Sequence, residues 1–215
     1  MQIAILFYGR IKHYEKKYLL NILEKGHTVD IFYSCDNEPE ELVNDFKTIY
    51  NPISVNSEPI TYDRVIFDYY SSWANKTESL LITNTHLQYD RMIRHFINLK
   101  RVMELLEESC SNLQTTYDLV IATRFDLLLG PMPPLCIPKP NTIYIPEGND
   151  YNGLNDQFAM GSLESMKRYM YLFNNYPRYM ELNILPHPET LNMCNLREND
   201  NMDIGRFDME HIIIR

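Results

Sequence analysis

Residues 117–129, Tyr-Asp-Leu-Val-Ile-Ala-Thr-Arg-Phe-Asp-Leu-Leu-Leu, hold an apolar strand over Asp118–Thr123 that Arg124 and Asp126 interrupt before Leu127 to Leu129 resumes it. The two opposite charges are two positions apart, so on a strand they share one face. A charge pair ending a buried strand has two readings. It is a structural ion pair, or it serves a ligand diphosphate, through the cation directly or through a carboxylate-bound divalent metal.

Outward from this stretch, strand and helix signals alternate. Gln2–Tyr8 is a continuous apolar run ending at Gly9 and Arg10, and Val29–Tyr33 is a second run ending at Ser34, Cys35 and Asp36. Between them Tyr18, Leu19, Ile22 and Leu23 recur at helical spacing over Tyr14–Lys25, with Gly26 as the cap. Pro39, Glu40 and Glu41 open a helix through Phe46, and Ile53–Val55 reads as a short third strand. Residues 62–83 read as loop and short helix. His86–Glu108 carries the apolar stripe of a long, core-packed helix, with Met92, Ile93, Phe96, Leu99, Val102, Met103 and Leu106.

Beyond residue 129, five prolines between Pro131 and Pro140 make an extended connection to a strand over Thr142–Ile145. Gly148–Asn155 reads as a flexible polar loop, Asp156–Met160 as a short strand, and Ser162 as the N-cap of a helix to about Asn175. Pro188 and Glu189 open a last helix, and Ile212–Ile214 is a closing strand in the sheet or at its edge. The order predicts α/β layers with a mostly parallel sheet in one domain over residues 1–215.

Composition narrows the function classes. A formal net charge of -9 and a pI near 5.1 oppose a surface built for nucleic-acid phosphates or anionic lipid, so a small ligand fits better. Cys35, Cys110, Cys136 and Cys194 show no paired CxxC spacing, which signals neither a zinc ribbon nor a disulfide framework. The apolar start is too short for a signal-peptide core, and no stretch approaches membrane-spanning length; a soluble, cytoplasmic protein is expected.

Open α/β sheets bind ligands beyond the carboxyl ends of their strands. At Gly9 and Arg10, a lone glycine admits a close ligand and the arginine suits phosphate, or the two form an ordinary turn. With neither GxGxxG nor GxxxxGK[ST], dinucleotide and P-loop cradles are disfavoured. Asp36, ending strand two, suits the hydroxyls of a nucleotide ribose or is a turn residue. Arg91 and Arg94 are one helical turn apart and so share a face, either toward phosphate or toward solvent.

The stretch Tyr117–Leu127 followed by Asn155-Asp156-Gln157-Phe158-Ala159-Met160-Gly161-Ser162 resembles a group of GT-A-like glycosyltransferases, whose members occur in large DNA viruses and polysaccharide-making bacteria. The resemblance extends to Gly9-Arg10, Val29-Asp30-Ile31-Phe32, Gln88 and His187-Pro188-Glu189. It implies a three-layer α/β/α, Rossmann-like fold with a mixed, mostly parallel sheet, a nucleotide-sugar half over about 1–130 and an acceptor half over about 131–215. In such a fold an Asp-x-Asp motif ends a strand and holds a metal on the donor diphosphate. Asp126 falls at its last position and Arg124 replaces its first, so Mn²⁺ or Mg²⁺ has one carboxylate where the family has two. The donor set implied is Gly9, Arg10, Asp36, Arg124 and Asp126, with Asp126 and His187 as candidate metal ligands. Asp156 is the implied general base, and Asn155, Gln157 and Glu189 the acceptor side.

The expected activity is inverting transfer of a sugar from a nucleotide donor, UDP-linked, to a hydroxyl of a glycan or glycoprotein, alongside further domains or enzymes of a glycan pathway. Two alternatives are a non-catalytic nucleotide-sugar-binding domain and a nucleotidyltransferase. The latter usually carries a glycine- and lysine-rich loop after strand one, which Gly9-Arg10 does not supply.

Overall fold

The computed structural model describes residues 1–11, 26–63, 85–199 and 201–213. The helix expected over Tyr14–Lys25, most of the aromatic-rich stretch after Tyr62 and Ile214 lie outside them.

Seven strands form the main sheet in the order β3-β2-β1-β4-β7-β6-β8. They are β1 (Gln2–Tyr8), β2 (Thr28–Ser34), β3 (Ser54–Asn56), β4 (Leu119–Arg124), β6 (Thr142–Pro146), β7 (Phe158–Gly161) and β8 (Asp203–Phe207). Pairing is parallel throughout except at β7, which runs antiparallel to both β4 and β6. The predicted mixed, mostly parallel sheet is therefore present.

Strands β1 and β4 read as unbroken apolar runs because both faces of the sheet are covered. Ala4, Leu6, Tyr8, Val120 and Ala122 face one core. Ile3, Ile5, Phe7, Leu119 and Ile121 face the other. The first core is closed by the 29-residue helix α2 (Thr85–Leu113) with α3 (Leu163–Met170), α4 (Leu172–Glu181) and α5 (Pro188–Met193). The second is closed by α1 (Glu40–Tyr50), through Val43 and Phe46. The result is three layers, helix on sheet on helix. Among the described residues no helix is long and apolar enough to cross a membrane.

Some boundaries differ from expectation. The helix capped by Ser162, whose Oγ accepts from Ser165 N at 3.2 Å, stops at Met170. A second helix restarts at Leu172 and carries Pro177 inside it. The expected strand over Asp156–Met160 begins only at Phe158, because the backbone of residues 155–157 bonds to side chains and loops. Strand β9 (His211–Ile213) does not join the main sheet; it pairs antiparallel with β5 (Leu127–Leu129) in a separate two-stranded sheet. Strand β8 had no strong sequence signal, since an edge strand with Asp203, Gly205 and Arg206 lacks an apolar run.

Candidate functional site

From β1 the chain builds outward to β2 and β3, then crosses back to lay β4 on the other side of β1. This reversal is a topological switch point, where the loops leaving the two strands diverge and open a crevice. Tyr8 pairs with Arg124 across it, and Phe125 N donates to Tyr8 O at 3.1 Å. Because β7 is reversed, it starts where β4 ends. Thr123 pairs with Phe158, and Arg124 N donates to Gln157 O at 3.1 Å. Gly9, Arg10, Arg124, Asp126 and residues 155–157 thus converge on one edge of the sheet.

Arg124 and Asp126 form a bidentate fork, Nε to Oδ1 at 3.0 Å and Nη2 to Oδ2 at 2.8 Å. Their side chains are 27% and 13% exposed. Burial disfavours the guanidinium charge, but Asp126 and then Asp156 outweigh it and raise the Arg124 pKa further. Two of the five N–H groups of an arginine are spent here, leaving the others for a ligand. Asp126, in contrast, directs both oxygens at the guanidinium. Among the described residues no group of three His, Cys, Asp or Glu side chains is gathered that could hold a metal ion. Both oxygens of Asp126 accept from the guanidinium, so a divalent cation held by this one carboxylate, waters and phosphate would compete with Arg124 for it.

Beneath the fork lies a buried polar cluster. Asp156 Oδ2 is 3.2 Å from His95 Nε2, on the inner face of α2, close enough for an ion pair although Nε2 has no well-aligned hydrogen bond. Burial alone would raise the Asp156 carboxyl, yet His95 and then Arg124 hold it below the usual carboxylate range. The Tyr8 hydroxyl shares its proton between the carbonyls of Asp156 and Gln157, at 2.9 and 3.0 Å, and its ring meets His95 edge to face. Burial, with Tyr169 and Asp156 close by, pushes the Tyr8 hydroxyl well above its ordinary range, so it stays protonated.

His95 and Tyr169 were not anticipated from the sequence, whereas Tyr8 belonged to the strand end that carries Gly9 and Arg10. The signal for His95 was present: it occupies the stripe of Met92, Phe96, Leu99 and Val102, an ionisable side chain on a core-facing helix face.

The remaining predicted residues divide. Gly9 has φ +94°, a conformation that favours glycine, and a Cβ there would meet nothing within 4 Å among the described residues. Its N–H donates to Ser34 O at 3.0 Å. Arg10 is exposed, with no ion pair among the described residues. Asp36 is engaged: Oδ1 accepts from Ile60 N at 2.7 Å and Oδ2 pairs with Arg94. Arg94 also reaches Asp90 at 2.9 Å and lies over the Tyr62 ring. Arg94 therefore braces the end of β2, while Arg91 is exposed.

On the acceptor side, Asn155 turns its amide into its own loop. Oδ1 accepts from Gln157 N at 2.8 Å, and Nδ2 donates to Gly148 O and to His211 Nε2. His211 Nδ1 faces Met209 O at 2.9 Å, so the network assigns its proton to Nδ1. Gln157 Oε1 is buried with no hydrogen-bond partner among the described residues, which leaves it acceptor capacity. Glu189 and His187 occupy each other, Oε2 to Nδ1 at 2.9 Å, and this contact raises the His187 pKa against the opposing effect of burial. His187 is not brought together with Asp126 in any group suited to a metal.

No protein-family model and no curated protein matches this sequence. In overall shape the chain is similar to mouse xyloside xylosyltransferase 1 in its apo form, with a TM-score of 0.39 at 9% identity over 96% of this chain and 84% of that one. It is also similar to a Desulfovibrio desulfuricans G20 protein provisionally assigned as a nucleotide-diphospho-sugar transferase, with a TM-score of 0.42 at 10% identity over 97% and 80%.

Proposed function

We propose that this chain transfers a sugar from a UDP-linked donor to an acceptor hydroxyl, with inversion, using the edge where β1 and β4 diverge. The observation that carries this reading is the convergence there of a glycine of positive φ, two arginines and a buried carboxylate. Residues 1–130 supply the donor side and residues 131–215 the acceptor side.

In this mechanism Gly9 lets the nucleotide approach the backbone and Arg10 meets it in the crevice. The free N–H groups of Arg124 bind the diphosphate, and Asp126 holds the guanidinium in place while Asp36, through Arg94, braces the neighbouring loop. The acceptor oxygen attacks the anomeric carbon as the bond to the diphosphate oxygen breaks. Its proton passes to Asp156, and the negative charge on the leaving diphosphate grows toward Arg124. Such preorganised charge is worth most in a water-poor site, and a positioned base contributes about 10²–10⁴-fold. A single in-line displacement inverts the anomeric centre.

The test combines a thermal-shift screen of nucleotide sugars, with Mn²⁺, Mg²⁺ or chelator, and a radiolabelled transfer assay. A metal-independent shift is expected, because bound ligand stabilises only the native state. If folded Asp126→Ala and Asp156→Ala proteins both kept full turnover, this assignment would be wrong. The burial of Asp156 against His95 favours one second reading, a nucleotide-sugar-binding module without transfer; donor binding with no turnover against any acceptor selects it.

A further inference from the structure

Past the Arg124–Asp126 fork, the same sheet edge carries a second concavity. Strands β6 and β8 run parallel and end there at Pro146 and Phe207, and Glu147 N donates to Phe207 O at 2.9 Å. The loop that follows, with Arg197 and Arg206, borders an open cavity of about 380 Å³ lined by Glu147, Asp150, Leu154, Arg197 and Arg206. Pockets that hold small ligands begin near about 300 Å³. None of the residues assigned above to the donor lines it.

The loop is built to hold this shape. Asp150 Oδ1 accepts from Asn155 N at 3.0 Å, and Leu154 N donates to Glu189 O at 2.9 Å. A Cβ on Gly153 would lie 2.0 Å from Glu189 O, so only glycine lets the loop seat against α5. The inward-turned Asn155 therefore has a purpose: it ties the two ends of the cavity wall together.

The wall carries two carboxylates and two guanidiniums, and their formal charges cancel. Arg206 spends one N–H on Asp150 at 2.7 Å. Arg197 and Glu147 are exposed and form no ion pair among the described residues. An anionic ligand meets Glu147 and Asp150, and a cationic one meets the arginines. A neutral polyol satisfies both kinds of group, since hydroxyls donate to carboxylates and accept from guanidiniums. Leu154, in the lining, offers an apolar contact for the C–H face of a ring. It is two residues before Asp156, so the loop that walls the cavity leads directly into the proposed base.

We infer that this cavity is the acceptor subsite and that the acceptor presents an uncharged sugar residue to it, an inference that rests on the transfer reading above. The test is ligand-observed NMR with methyl glycosides of neutral hexoses and pentoses, set against glucuronic acid and glucose 6-phosphate. Saturation transfer to neutral glycosides is expected, weakened roughly tenfold or more in Glu147→Gln and Arg197→Ala. Both side chains are exposed, so the variants fold. A preference for the uronic acid or the phosphate, or undiminished binding of neutral glycosides by both variants, overturns the inference. The UDP-sugar thermal shift separates the two proposals. Glycosides bound with no donor shift refute the donor reading alone; a donor shift with no glycoside bound refutes the acceptor subsite alone; neither response refutes both.

Discussion

Replacing Asp126 with asparagine keeps the side chain's shape and removes its charge. The wild-type carboxylate receives two charge-assisted bonds from Arg124, at 3.0 and 2.8 Å. Asparagine offers one acceptor oxygen, and its NH₂ faces a donor, so one bond is lost and the other loses its ionic component. Exposed pairs contribute at most about 1 kcal/mol, whereas breaking a buried pair costs about 3–5 kcal/mol. With side chains 27% and 13% exposed, the fork falls between these limits, and a loss of about 2 kcal/mol is expected. In a chain of this size each kcal/mol moves Tm by about 2–4 °C, so the variant melts about 4–8 °C lower in a calorimetric or dye-based scan. The same change frees the guanidinium. The Tm increment produced by a UDP-sugar is therefore retained in Asp126→Asn without divalent metal, although turnover falls because Arg124 is no longer held in place. A donor increment that vanishes in the variant, and that in the wild type requires Mn²⁺ or Mg²⁺, refutes this reasoning and makes Asp126 a metal ligand.

Asp156→Asn is expected to lower transfer by about 10²–10⁴-fold in the radiolabel assay while keeping the donor-induced shift. The folded Asp156 carboxyl sits below its unfolded value of about 3.9, so its contribution to stability is present above that pH and is lost as pH falls through the lower folded value. Acid unfolding of Asp156→Asn, followed by circular dichroism, consequently shows a shallower loss of stability below about pH 4 than the wild type. Gly153→Ala forces a Cβ to within 2.0 Å of Glu189 O unless the loop moves; a cost of about 3 kcal/mol in the denaturant midpoint is expected. Ser162→Ala removes the cap on Ser165 N, with a loss of about 1 kcal/mol by the same measurement.

The central strands were legible because burial on both faces writes an uninterrupted apolar run, as in Ile3–Tyr8 and Leu119–Thr123. Strand β8 was not. Its place depends on Gly205 fitting against the Tyr144 ring, where a Cβ would approach Cδ1 to 2.5 Å, and such a fit leaves no local pattern. The shared face of Arg124 and Asp126 followed from their spacing, but spacing alone leaves open whether they meet a ligand or each other. The partners of Asp36 and Asp156 were out of reach for another reason. Arg94 is 58 positions from Asp36, and His95 is 61 from Asp156 (156 minus 95), so only the crossing of α2 over the sheet brings them together. Asn155 matched the resemblance as an acceptor-side residue, yet its side-chain amide is spent on its own loop and on His211.

The reversal of β7 separates two kinds of change. The residues proposed for the donor follow the ends of β1 and β4, whose positions depend on the doubly covered centre of the sheet. The 147–156 loop leaves the parallel strand β6 at the same edge and turns back into the reversed strand β7. Gly153 and the hydrogen bonds of Asp150 and Asn155 fix the shape of that loop, but none of them sets the register of the parallel strands. A change confined to this one connection leaves the ends of β1 and β4 where they are.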